Sequence, residues 1–64
     1  MSAQVKDLFD DPADFQQLLT DAEAEAVSEW QQEFVADMNE RWEKYGPAMY
    51  LSDKQRQTLE DIVG

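Results

Sequence analysis

Fifteen carboxylates are the most abundant reactive side chains of this 64-residue sequence, set against five Lys and Arg and no Cys or His. Without cysteine there is no thiol nucleophile, no zinc–thiolate site and no disulfide scaffold. Without histidine the commonest metal ligand and the commonest general base near neutral pH are also missing. What remains is acid–base work by paired carboxylates, or oxygen ligation of a hard cation. Asp10-Asp11 and Glu60-Asp61 are adjacent pairs, and Asp14 follows the first of them closely. A calcium loop, however, needs alternate oxygen ligands, a Gly at its turn and a distal Glu, and Asp10-Asp-Pro-Ala-Asp14 has none of that order. A glycosidase-type pair needs a cleft, which three short helices do not enclose. The three methionines are too scattered for a metal site. The expectation is a chain with no catalytic residues, no metal and no cofactor, which acts by binding.

The formal net charge is −10 and it is unevenly placed. Residues 1–40 hold eleven Asp and Glu against Lys6 alone, whereas residues 41–64 hold four acids against Arg41, Lys44, Lys54 and Arg56. Glu25, Glu29, Glu33 and Asp37 recur every fourth residue, about 6 Å of axial rise per step on a helix, and Glu40 follows one turn later. On a helical wheel Glu29, Glu33, Asp37 and Glu40 fall on one flank of an apolar stripe, while Ser28, Gln32, Val35 and Asn39 on the other flank are uncharged. One reading is a solvated ridge that serves solubility. The sharper reading is a surface for a basic protein, with the carboxylates standing in for phosphates before a basic, nucleic-acid-binding groove. Direct binding of nucleic acid is disfavoured, because that requires clustered Lys and Arg. Lys54 and Arg56, with Gln55 and Gln57, superficially resemble a recognition helix, but lack basic flanks.

These residues must be positioned by helices, and the expected fold class is all-α. Residues 1–10 read as a flexible N-terminal arm, with Leu8 and Phe9 available to dock, and residues 11–64 as a single small domain. Asp11 is a cap, Pro12 suits the first helical position and Asp14 favours the positive end of the helix dipole. Phe15, Leu18 and Leu19 give this short helix an apolar side. Thr20-Asp-Ala-Glu23 has the form of a capping box, which predicts a bend there, the alternative being one unbroken helix from Pro12 onward. A long central helix, roughly Asp21 to Tyr45, follows, with favourable pairs at Asp37–Arg41 and Glu40–Lys44. Gly46 and Pro47 stop it. Ala48-Met-Tyr-Leu51 is an apolar connector, and Ser52-Asp-Lys-Gln55 is a capping box opening a C-terminal helix that folds back through about Val63. Strands are not expected.

Val27, Trp30, Phe34, Met38, Trp42 and Tyr45 repeat at the helical period, and an aromatic stripe at that spacing is ordinarily core. Trp42 sits at its edge and is the residue expected to meet a partner, since Trp is favoured at binding hot spots. A chain this short buries only about 60% of its unfolded surface. A homodimer pairing two central helices is therefore an alternative to a monomer, although two acidic bands brought together would repel. No apolar run approaches the length of a membrane span, and the first residues lack the basic-then-apolar order of a signal peptide, so a cytoplasmic location is expected.

The stretch Glu40-Arg-Trp-Glu-Lys-Tyr-Gly46, followed by Leu51-Ser-Asp-Lys-Gln55 and Leu59, resembles a helical element of small bacteriophage proteins and of the ends of phage replication or recombination proteins. In that element a helix ends in a Tyr-Gly turn and a Leu-Ser-x-Lys-Gln start opens the next. The resemblance covers residues 40–59 and implies a phage-encoded protein acting on nucleic-acid machinery. The leading expectation is an acidic interaction module that binds and inhibits or modulates a basic protein through Glu25, Glu29, Glu33, Asp37, Glu40 and Trp42. The alternatives are a replication or recombination accessory with weak nucleic-acid contact through its C-terminal half, and a structural dimerisation module.

Overall fold

Asp11 starts the helix around which the chain folds. Its carboxylate accepts a hydrogen bond from the Ala13 N–H at 2.9 Å, Pro12 takes the first helical position, and Asp14 lies in the first turn. The computed structural model describes residues 2–64. Their order is strand β1 (Ser2–Gln4), a one-turn helix α1 (Val5–Leu8), α2 (Pro12–Glu25), α3 (Glu29–Tyr45), a single 3-10 turn (Gly46–Ala48), strand β2 (Tyr50–Ser52) and α4 (Asp53–Val63). The expected helical architecture forms, with one long helix, a shorter one before it and a C-terminal one after it. Both α3 and α4 pack against α2, which buries Phe15, Leu19 and Ala22 at the spacing of one helix face.

The helix break falls later than the Thr20 capping pattern predicts. Thr20 is inside α2, and its hydroxyl donates to the Gln16 carbonyl at 2.9 Å, satisfying itself on the preceding turn instead of capping a new helix. Continuing the helix is what places Ala22 below Phe15 and Leu19. The chain turns instead at 26–28, where Ser28 and Gln31 form a reciprocal capping box. The Gln31 N–H donates to Ser28 Oγ, and Gln31 Oε1 accepts from the N–H groups of both Val27 and Ser28. α3 therefore begins at Glu29, not Asp21. The second box forms as expected: the Gln55 N–H donates to Ser52 Oγ at 3.0 Å, and the Ser52 N–H to Gln55 Oε1 at 2.9 Å.

The N-terminal segment is not the expected loose arm, although Met1 lies outside the described residues. β1 pairs antiparallel with β2 in the register Ser2↔Ser52, Ala3↔Leu51 and Gln4↔Tyr50. The Val5 N–H and Gln4 Nε2 extend this pairing by donating to the carbonyls of Met49 and Ala48. Around β2, Met49 and Leu51 point inward and Tyr50 outward, the two-residue alternation of a strand with one buried face. Val5, Met49 and Leu51 join the core with Leu59 and Ile62 of α4. The connector read as merely apolar is thus a core strand, closed by residues far away in sequence.

α3 is rolled relative to its apolar stripe. Val35 and Met38 are buried, and Phe34 and Trp42 are half-buried, but Trp30 is 58% exposed and Val27 84%. The burial direction runs through Val35, Met38 and Trp42, about 70° from Phe34 on the wheel at 3.6 residues per turn. Two causes are visible. Val27 lies in the connector and so contributes nothing to the α3 stripe. Trp42 reaches α2, where its Nε1–H donates to Gln16 Oε1 at 2.6 Å and its ring centroid sits 5.0 Å from that of Phe15.

Two stability outcomes follow. Phe15→Ala should cost about 3–5 kcal/mol, a large share of what holds a domain of this size, whereas Trp30→Ala should cost no more than about 1 kcal/mol; urea unfolding of the two variants measures the contrast. Gly46, at φ 58° and ψ −143°, occupies backbone space that a Cβ disfavours, yet nothing lies within 4 Å of an added Cβ. Gly46→Ala should therefore destabilise by about 1–3 kcal/mol through the backbone alone, with the melting temperature falling and no rearrangement of the core.

Candidate interaction surface

Because α3 turns Val35, Met38 and Trp42 toward α2, the opposite pole of the helix faces solvent. Glu29, Glu33, Asp37 and Glu40 occupy that pole, all exposed. The acids expected beside a buried stripe thus form the outermost crest of the longest helix. Glu25 does not continue this row. It is the last residue of α2, on the other side of the 26–28 turn. Three steps remain, from Glu29 to Glu33 to Asp37 and then to Glu40, spanning about 16 Å at 1.5 Å per residue.

The charges on this crest are largely uncompensated among the described residues. Arg41 Nε lies 3.2 Å from the Asp37 carboxylate, as the four-residue spacing predicts. Both side chains are about half exposed, and such a pair contributes about 0.3–0.5 kcal/mol. The second expected pair, Glu40–Lys44, does not form. Lys44 Nζ sits instead 5.2 Å from the centroid of the Tyr45 ring, where the ring's negative face attracts it. Among the described residues Glu29, Glu33 and Glu40 have no ion-pair partner.

Beside the crest runs the apolar surface that the roll of α3 leaves uncovered. Trp30 and Phe34 are one turn apart and so are neighbours on the helix. Tyr45 lies on the same side at the far end. Tyr45 and the exposed Tyr50 line an open groove of about 580 Å³ together with Asp37, Glu40, Arg41 and Lys44. A second open groove, of about 750 Å³, separates α2 from α3 and is lined by polar side chains that include Glu23, Glu40 and Glu43. Trp42, expected to meet a partner, is held within the chain by Gln16 and Phe15. The larger exposed indole is that of Trp30. Its position was legible in Ser28-Glu-Trp-Gln31, a capping pattern that puts Val27 outside the helix and Trp30 in its first turn.

The C-terminal cations are arranged differently. Arg56 lies over Phe9, its guanidinium carbon 5.7 Å from the ring centroid, and its Nε is 3.4 Å from the Glu60 carboxylate. That Nε is shielded from solvent and makes no hydrogen bond. Lys54 is exposed. One of the two cations that would have to reach phosphate is therefore engaged internally. Among the described residues no group of three or more carboxylates is placed to hold a metal ion, and no helix is long and apolar enough to cross a membrane. No protein-family model, curated protein or solved structure matches this chain.

The two tryptophans should be separable by quenching. In a Trp42→Phe variant the remaining Trp30 should emit at the wavelength of a wet indole and be quenched steeply by acrylamide. In Trp30→Phe the remaining Trp42 should be bluer and quenched less. Equal quenching in the two variants would mean that α3 buries the Trp30 side after all.

Proposed function

We propose that this chain is a non-enzymatic interaction module that engages a basic protein through the acidic crest of α3. The observation that carries the reading is the row Glu29, Glu33 and Glu40, exposed and without ion partners, with Asp37 only loosely paired among them. A protein that tolerates uncompensated like charge along one helix accepts a repulsion that a cationic partner would relieve, and such a row speeds encounter with that partner. Its axial spacing is on the scale of a charged polymer backbone. The favoured partner is therefore a nucleic-acid-binding protein whose phosphate-binding surface the crest occupies, which this chain would modulate or inhibit. The resemblance of residues 40–59 to a phage helical element fits a phage or mobile-element origin for such a modulator.

The test uses two baits of equal charge. Glu29→Lys with Glu33→Lys reverses the crest, and Glu23→Lys with Asp61→Lys makes the same total change elsewhere. Bacterial-lysate proteins captured by the parent should be basic, should elute as salt rises because exposed charges are screened beyond about 10 Å at 0.1 M, and should be displaced by duplex DNA. The crest reversal should lose them at least tenfold, while the control reversal keeps them. Capture by the crest-reversed bait equal to that by the control would reduce the crest to a solubilising surface.

A further inference from the structure

We infer that the part of the partner seated on this surface is a basic amphipathic helix, its apolar side against Trp30 and Phe34 and its Lys or Arg residues against the crest. This rests on the interaction-module reading and adds to it a contact that charge alone does not require.

The chain leaves apolar side chains of α3 wet. Trp30 is 58% exposed, although half-buried Phe34 one turn away shows that packing was within reach of this face. A partner that read only charge would leave this surface in water. A second copy of the chain fits the apolar surface but not its border, since Glu29, Glu33 and Asp37 run alongside it and would be brought against their own copies. Nucleic acid is repelled by the same border. A segment with an apolar face and flanking cations is complementary to both features at once. The length also fits a helix: from Trp30 to Tyr45 the surface extends about 22 Å, which four turns of partner helix would match. This is the packing of one helix against another, read as apolar anchors one turn apart.

Midway along the surface the Asp37–Arg41 pair interrupts it. An exposed pair of this kind is held by a small energy, so an incoming cation can replace Arg41 at Asp37 at little cost. At the far end Tyr45, with Lys44 already over its ring, and the exposed Tyr50 border the open groove.

The probe is a synthetic 18-residue peptide of Leu and Lys patterned to give one apolar helical face. Its control has the same composition in an order that forms no such face. Titrated into the Trp42→Phe protein, the patterned peptide should bind at least tenfold more tightly than the control and shift Trp30 emission to the blue. Trp30→Ala, checked for unchanged helicity, should weaken the patterned peptide at least threefold while leaving the control peptide unaffected. Equal affinity for the two peptides, with Trp30 emission unmoved, would overturn the inference and leave the acidic-crest function intact. Failure of that function would appear separately, as a crest-reversed protein that binds both peptides like the parent. Sedimentation of the protein alone should give a 7.4 kDa species, and a dimer abolished by Trp30→Ala would overturn the inference in favour of a second copy.

Discussion

The buried face of α2 is the constraint on which the other elements depend. Phe15, Leu19 and Ala22 form the one surface against which both α3 and α4 pack. A chain of this size has little apolar material to distribute, so a helix that serves two neighbours does more than the longer α3, which buries only Val35 and Met38 fully. The Phe9–Phe15–Trp42 run of ring contacts, with centroids 5.4 and 5.0 Å apart, carries the same face outward to the residue that ends α1 on one side and to α3 on the other. What α3 presents to solvent follows from this: held along one line, it must expose whatever lies opposite.

Local chemistry made much of the fold legible. Asp11-Pro12, Ser52 through Gln55 and the Tyr45-Gly46-Pro47 stop act within a few residues of themselves and are satisfied there. From sequence Thr20 reads as the cap and Ser28 is passed over, although each begins a pattern able to cap a helix. The choice between them depends on whether Ala22 belongs beside Leu19, which is a matter of tertiary packing. The pairing of β1 with β2 was illegible for a related reason. Ser2-Ala-Gln4 has no strand character of its own, and its partner lies at the other end of the chain.

The surface divides along similar lines. Carboxylates that step along a helix can be placed on one side from spacing alone, and Glu29, Glu33, Asp37 and Glu40 stand together on α3. Glu25 was lost from the row by the same three-residue turn that released Val27 from the apolar stripe. The sequence also cannot state the roll of a helix whose apolar residues cover a broad arc, and that roll decides whether Trp30 or Trp42 meets solvent. Trp42 Nε1–H finds an acceptor in Gln16, a contact between residues 26 apart that no periodicity encodes.

The ribbon joining Ser2–Gln4 to Tyr50–Ser52 has a kinetic meaning. Residues 3 and 51 must meet before Val5, Met49 and Leu51 are sealed from water, so the core closes only when nearly the whole chain is available. Pairings so distant along the chain are slow to form, because the entropy of closing the intervening loop comes due before their contacts reward it. α2 and α3 can find each other early through their short turn, but their shared face stays partly open until the two ends are joined. The three-residue strand thereby ties the first third of the chain to the last, and the seal over Val5, Met49 and Leu51 depends on both.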